Sequence, residues 1–307
     1  MKRVKFIFPF FFIFVFMIIL TSCKKDDGTI IIKDIEITDS VESIYTQPEN
    51  LNFKLYITKG GREKFLMVSY NYIVHNNDEI VNIAPEYGGY IVKYYDSGRA
   101  GWHKNNTVKK LILPDTVTSI TGTIRDFSAL EEIYIPKNVI YIDLDMFMDS
   151  NGSVKKITVS EENKNFKIKN NALYDEKNGI FYYYLKDDNL TQYKVYQAKV
   201  IASDSFAKTN LTSIIFDEGV EIIDNFAIVD NNYLKSITLP STFKGFNTNV
   251  IYGVGLPFNV IAPDIKDAVS YIKEYNPNLE TIYSYADIDV DLSDIGIEYI
   301  KLSKLLL

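Results

Sequence analysis

The chain has 307 residues, with 33 Lys and Arg against 40 Asp and Glu, a formal net charge of −7, 47% apolar residues and 14% aromatics. That apolar and aromatic content supplies a core and excludes disorder, and an acidic balance without a basic stripe excludes nucleic acid as a partner. Cys23 is the one cysteine, so no disulfide can form within the chain and the core alone must stabilise it.

Residues 1–22 read as a signal peptide. "MKRVK" is a basic start, and "FIFPFFFIFVFMIIL" (6–20) is an apolar run short of the roughly 20 residues that span a bilayer. "LTSC" (20–23) resembles the lipobox of bacterial lipoproteins, which implies that Cys23 is lipidated, becomes the new N-terminus and anchors the chain in a membrane. "CKKDD" (23–27) resembles the signal that sends some Bacteroidota lipoproteins to the outer face of the outer membrane; a plain solvated tether has the same composition. Without Lys2, Arg3 and Lys5, residues 23–307 carry 30 basic and 40 acidic side chains, a net −10 that repels anionic headgroups. Residues 23–61 read as a tether followed by an N-terminal strand or cap, because "IIIKDIEITDSVESIY" alternates and Pro48 and Gly60-Gly61 mark turns. A separate small β domain is the alternative.

From residue 62 one phrase recurs: "VKKLILP" (108–114), "LEEIYIP" (130–136), "VKKITVS" (154–160), "LTSIIFD" (211–217) and "LKSITLP" (234–240). Its first inward residues are Leu111, Ile133, Ile157, Ile214, Ile237 and Val260, spaced by 22 and 24, then a long gap, then 23 and 23. Pro114, Pro136, Pro240 and Pro263 follow three residues later, where a missing N–H ends the pairing of a strand. Second and third apolar anchors follow at Val117 and Ile120, Val139 and Ile142, Val220 and Ile223, and Phe243 and Phe246, with Phe147, Ile228 and Ile251 beyond. A period in the low twenties is that of a solenoid, in which strands too short to bury a core alone stack coil upon coil.

"LEEIYIPKNVIYIDLDMF" and "LTSIIFDEGVEIIDNFAI" resemble the leucine-rich repeat of the BspA type, L-x-x-I-x-I-P-x-x-V-x-x-I-x-x-x-A-F. "NIAPEYGGYIVKYY" (82–95) resembles that family's opening repeat, "SEENKNFKIKNNALYDEKNGIFYYYL" (160–185) its hairpin insertion, and "VIAPDIKDAVSYIKEY" (260–275) its closing helix. The resemblance implies a β-rich leucine-rich repeat solenoid over 62–283, with 22–24-residue repeats and about six coils. It carries a hairpin insertion at 160–192 and a capping helix at 264–275, and leaves 284–307 as a C-terminal tail. Ser160 and Asp217 stand in place of proline, "TGTIRDF" closes the first repeat irregularly, and the spacing slips by one in "YKVYQAKVIASDSF" (193–206). Asn178-Gly179 is expected to turn the hairpin, since both residues accept positive φ. Asp264 is expected to cap the helix, with Ile265, Val269 and Ile272 on the face that covers the last coil.

Residues suited to catalysis are sparse. His75 and His103 stand far apart without carboxylates at metal spacing, and Asp96, Ser97 and Arg99 match no triad order, so no catalytic, cofactor or metal site is expected. Asp287, Asp289, Asp291 and Glu298 fall at calcium-loop positions 1, 3, 5 and 12, but Leu292 replaces the glycine of the sharp turn. Alternation with Ile288 and Val290 reads instead as an acidic edge strand. The sequons at Asn105, Asn151, Asn189 and Asn210 read as turns.

What remains is surface. Outward residues of successive strands should align as a row of Ile112, Tyr134, Thr158, Ile215 and Thr238, a candidate contact patch or a set of good strand formers. Its neighbour would be Lys110, Glu132, Lys156, Ser213 and Ser236. Tyr182, Tyr183 and Tyr184 should alternate between buried and exposed. The BspA resemblance implies adhesion through the repeat surface: a non-catalytic, lipid-anchored protein on the bacterial outer membrane that binds a protein or glycan. A periplasm-facing scaffold or glycan-capture lipoprotein is the alternative.

Overall fold

Most coils lay one short strand on a front wall and a second on a back wall, and the inward side chains of both walls meet between them. The computed structural model describes residues 31–58, 61–70, 78–97, 106–124, 127–148, 152–224, 226–247 and 265–303. Cys23, the signal peptide, "CKKDD", His75, Arg99, His103, Ile251, Val260, Pro263 and the helix cap Asp264 lie outside them.

The N-terminal region is built into the solenoid wall and forms no separate domain. Strands β1 (Ile31–Ile35), β2 (Leu51–Ile57) and β3 (Lys64–Tyr70) pair as an antiparallel meander. β4 (Ile80–Asn82) opens the front wall. β5 (Glu86–Tyr87) turns into β6 (Tyr90–Asp96), which runs parallel to β3 and so begins the back wall on the meander. The outer side of β4 is covered: the Thr46 N–H donates to the Asn82 carbonyl (2.7 Å), and the Asn82 amide donates to the Ile44 carbonyl (2.9 Å). The 44–46 segment thus covers the Asn82 end of that ladder edge.

Three coils follow. β7 (Lys110–Ile112), β9 (Glu132–Ile135) and β11 (Lys156–Val159) extend the front wall, and β8 (Ser119–Thr121) and β10 (Tyr141–Ile142) the back wall, all in parallel. The expected anchors stack in register. Val81, Leu111, Ile133 and Ile157 form one inward ladder, and Tyr95, Ile120 and Ile142 the facing one. All are buried, each contributing about 1.5–3 kcal/mol of transfer free energy. At the end of each front strand the chain closes an i to i+3 turn, with Pro114 accepting from Val117 (3.0 Å) and Pro136 from Val139 (3.4 Å). Ser160 makes the same turn with Asn163 (2.9 Å) and Asp217 with Val220 (3.2 Å). The proline stands at the first position of that turn, where Ser and Asp are themselves favoured, which is why Ser160 and Asp217 leave the turn intact.

The insertion departs from expectation. β12 (Phe166–Lys169) and β13 (Ala172–Asp175) are joined by Asn170-Asn171, both at positive φ (46° and 58°), so the two-residue turn sits here. At Asn178-Gly179 only the glycine has positive φ (69°), within a longer link held by the Asp175 carboxylate, which accepts from the Asn178 N–H (2.9 Å) and Nδ2 (2.7 Å). β14 (Ile180–Tyr184) then buries all five of its residues. Tyr182, Tyr183 and Tyr184 are each only 2% exposed, so none offers a contact surface. Alternation fails for two reasons. The register slips between Leu173 and Tyr174, and both faces of the strand are covered. Tyr182 and Tyr183 enter the N-terminal core, while Phe181 and Tyr184 enter the C-terminal one.

Beyond it, β15 (Gln192–Val195), β17 (Ser213–Phe216) and β19 (Ser236–Leu239) rebuild the front wall, and β16 (Val200–Ile201), β18 (Ile222–Asp224) and β20 (Gly245–Asn247) the back wall. Phe181, Ile201, Ile223 and Phe246 stack as one ladder. Helix α1 (Ile265–Tyr275) buries Ala268, Val269 and Ile272 and lies beside β20, so it closes the back wall only. The front wall continues through β21 (Thr281–Ser284) and β22 (Glu298–Lys301). The next front anchor after Ile237 is therefore Ile282, 45 residues on, and the stretch read as a tail holds the last strand. The solenoid makes about seven turns rather than six.

Polar side chains tie the coils where turns bury backbone. Asn231 donates to the Phe206 (2.7 Å) and Val229 (3.1 Å) carbonyls and accepts from the Thr209 N–H (2.8 Å) and hydroxyl (2.7 Å). Its own N–H donates to Asn276 Oδ1 (3.0 Å), which brings in the end of α1. Asn231→Ala orphans several buried groups at about 1–3 kcal/mol each. A loss of about 3–5 kcal/mol in urea unfolding is expected, and a loss under about 1 kcal/mol would mean that water replaces the side chain.

Asp224 is buried on the back wall, and burial, with the Asp145 carboxylate adding to it, pushes its pKa up to about 7 from 3.8. Between those values the folded state holds a proton that the unfolded state has released, so this group's stabilisation is full below about pH 4 and is lost as pH rises through 7. Asp224→Asn keeps an acceptor for the Phe226 N–H (2.9 Å). Thermal melts of the variant should be flatter between pH 4 and 7 and higher than wild type at pH 8; equal pH dependence in both chains would refute the assignment.

Candidate binding surface

Outward side chains of the front wall fall into ladders set by strand register. In the N-terminal half Asn82, Ile112, Tyr134 and Thr158 are consecutive neighbours. In the C-terminal half the ladder is Lys194, Ile215, Thr238, Tyr283 and Ile300. The structure thus brings together Ile112, Tyr134 and Thr158, and separately Ile215 and Thr238, but does not join the two groups. β11 and β15 are not hydrogen-bonded to each other, since the insertion stands between their sheets. Lys194, Tyr283 and Ile300 were missed in the sequence. Tyr283 lies past a 45-residue coil, and a frame of 23 residues points to Val260 instead.

The neighbouring ladders differ between halves. In the first, Ile80, Lys110, Glu132 and Lys156 are adjacent, and Glu132 pairs with both Lys110 (3.2 Å) and Lys156 (3.8 Å). Beside them Lys109 pairs with Glu79 (2.7 Å) and Lys155 with Glu131 (2.6 Å). Exposed pairs of this kind are screened by water, so this ladder sets surface charge more than stability. In the second half the ladder is Gln192, Ser213, Ser236, Thr281 and Glu298, mostly uncharged, and the Ser236 hydroxyl donates to that of Ser213 (3.1 Å). Tyr196 and Tyr285, one residue or so past β15 and β21, are exposed on the same side as their strands end. Lys194 is held between the Asp217 carboxylate (3.2 Å) and the Tyr196 ring (5.0 Å). The C-terminal half therefore presents half-buried aliphatic and aromatic side chains in a largely uncharged setting, the composition of an interface core.

The acidic run 287–298 is not the expected edge strand. Residues 287–292 form an irregular connection, and the edge strand is β22 after it. Alternation survives as half-buried Ile288 and Val290 and buried Leu292. Lys301 reaches back to Asp287 (2.7 Å) and Asp289 (3.0 Å), which raises the pKa of the lysine and lowers that of Asp287. Asp291 accepts from the Ser293 hydroxyl (2.7 Å) and N–H (3.0 Å), which lowers its pKa as well. The carboxylates are thus spent on internal partners. Among the described residues no group of three or more His, Cys, Asp or Glu is arranged to hold a metal. Ser97 is buried and its hydroxyl donates to the Thr121 carbonyl (3.0 Å), a structural contact between coils.

The sequence matches the family model described as the BspA type leucine rich repeat region, in six copies over residues 99–180 and 199–298. No curated protein matches. Among solved structures, a leucine-rich repeat protein from Eubacterium ventriosum is 15% identical, with a TM-score of 0.43 over 89% of this chain and 85% of that one. A leucine rich cell surface protein from Faecalibacterium prausnitzii is 18% identical, with a TM-score of 0.43 over 73% of this chain and 59% of that one. The pneumococcal vaccine antigen PcpA is 15% identical, with a TM-score of 0.31 over 87% and 86%.

With Lys301 neutralising two of the three aspartates, the 287–298 segment needs no cation. The melting temperature should be the same in excess chelator and in excess calcium; a rise with calcium would restore the calcium-loop reading.

Proposed function

Because the chain belongs to the BspA-type leucine-rich repeat family, we propose that it is a non-catalytic binding protein of the bacterial cell surface. It is held in the outer membrane by lipid on Cys23 and contacts a protein partner through the C-terminal half of its front wall. The observation that carries this reading is the ladder Lys194, Ile215, Thr238, Tyr283 and Ile300 beside a row uncharged except for Glu298. Repeat solenoids use extended walls of this kind to bind partners. Ile112, Tyr134 and Thr158 form a second, smaller contact in a charged setting, suited to orienting the partner. The acidic body stays clear of anionic lipid, which leaves the front wall open above the anchor. Many anchored copies make weak contacts cumulative.

Protease treatment of intact cells tests this, with immunoblots for the chain and for a periplasmic control. The chain should be lost while the control survives, and Cys23→Ser should release it from the membrane fraction. Tyr283→Ala combined with Ile300→Ala should leave the melting temperature unchanged and lower attachment of these cells to matrix proteins about tenfold or more. Cleavage only after lysis would place the chain inside the envelope and end the surface reading.

A further inference from the structure

A small cavity of about 130 Å³ opens between the insertion and the end of front strand β15, lined by Lys169, Asn170, Tyr174, Glu176, Tyr196 and Gln197. It lies off the front-wall ladder and has a different chemistry. Tyr196 is 43% exposed and lines it, with Lys194 over one face of its ring (5.0 Å) and the other face left for a ligand. Asn170 holds left-handed backbone (φ 46°) as its two-residue hairpin turn requires, and Gln197 (φ 56°) does so in the bend between β15 and β16, at a cost for a non-glycine residue. The first of these turns is pinned from behind, where the Tyr193 hydroxyl donates to the Asn170 carbonyl (2.7 Å). Lys169 and Glu176 pair with each other, so the lining carries no net charge. Tyr174 is buried, with its hydroxyl against the Tyr193 side chain and the Tyr196 backbone.

Each of these properties narrows the ligand. A balanced ion pair disfavours phosphate, carboxylate and simple cations. Walls made of two tyrosine rings, two amides and that pair offer little to a lipid. Rings and side-chain amides together match a sugar, whose C–H face packs on an aromatic ring while its hydroxyls exchange hydrogen bonds with amides and charged groups. At about 130 Å³ the cavity falls below the roughly 300–1,000 Å³ of a whole-ligand pocket, so it takes no more than a single ring of a longer ligand. We propose that this cavity is a subsite for one neutral sugar residue at the end of a glycan chain, with Tyr196 as the stacking platform and Asn170, Gln197, Lys169 and Glu176 as hydroxyl partners. The site stands independently of protein binding by the front wall.

Saturation-transfer NMR on the full mature chain, with the methyl glycosides of glucose, galactose and N-acetylglucosamine, tests it, and N-acetylneuraminic acid serves as the anionic control. A single ring should bind with a millimolar Kd. Gln197→Gly suits the left-handed backbone and removes the whole side chain with its amide, so it should fold about as well as wild type. It should weaken the bound sugar about tenfold, and Tyr196→Ala should do the same. Tyr233→Ala, at another exposed tyrosine, should change nothing. The proposal fails if none of the three glycosides binds at about 20 mM, if only the anionic control binds, or if binding survives both Gln197→Gly and Tyr196→Ala.

Discussion

The fold rests on in-register stacking of inward side chains. A front strand of three or four residues buries too little surface to persist alone, so each anchor must land on the same anchor of the next coil. Leu111 on Ile133 on Ile157, and Ile214 on Ile237 on Ile282, meet that condition on the front wall, as Ile201 on Ile223 on Phe246 does on the back. Everything else is free to vary in length, provided that it returns the chain to this register. The 45-residue coil with its helix and the hairpin insertion are both such excursions, and loop closure grows only slowly more costly with length.

The insertion also does what stacking cannot. Front and back walls each divide into two sheets, and β14 stands where the halves meet. Its tyrosines point into two cores at once. Tyr183 stacks on Phe147 of the N-terminal half with centroids 4.4 Å apart, and Tyr182 donates to the Ile142 carbonyl (2.7 Å). On the other side Phe181 stacks on Phe206 at 4.9 Å, and Tyr184 meets Tyr193 at 4.5 Å. This density of aromatic contact replaces the ladder bonds that are interrupted between β11 and β15.

Much of this was legible in the sequence because the repeat encodes contact with its own copies. Ile133 and Ile135 point inward and Tyr134 outward by strand alternation alone, and the proline position marks the turn even where Ser160 or Asp217 fills it. What could not be read depends on partners outside the repeat. A Tyr-Tyr-Tyr run says nothing of whether one face or two will be covered. An Asn-Asn turn loses to Asn-Gly on local preference and wins here through the pairing of β12 with β13. The candidate surface suffered most, because a single irregular coil shifted the frame and hid Tyr283 and Ile300 behind a spacing that no period predicts. The cavity at Tyr196 arises from two segments apart in sequence, the 169–176 hairpin and residues 196–197, and carries no motif.

The divided walls have a mechanical meaning. Were the chain held at its N-terminus and gripped on β17, β19, β21 and β22, as proposed, tension would have to cross from the C-terminal half to the N-terminal half. No strand pairing bridges the front wall between β11 and β15, so the load passes through the β12–β14 hairpin and its packed rings. Such a joint resists compression well and peeling poorly, because rings separate one after another while in-register hydrogen bonds share a load. Under shear from flowing liquid, the hairpin would be the compliant element, yielding before either half unravels and lengthening the tether without releasing what it holds.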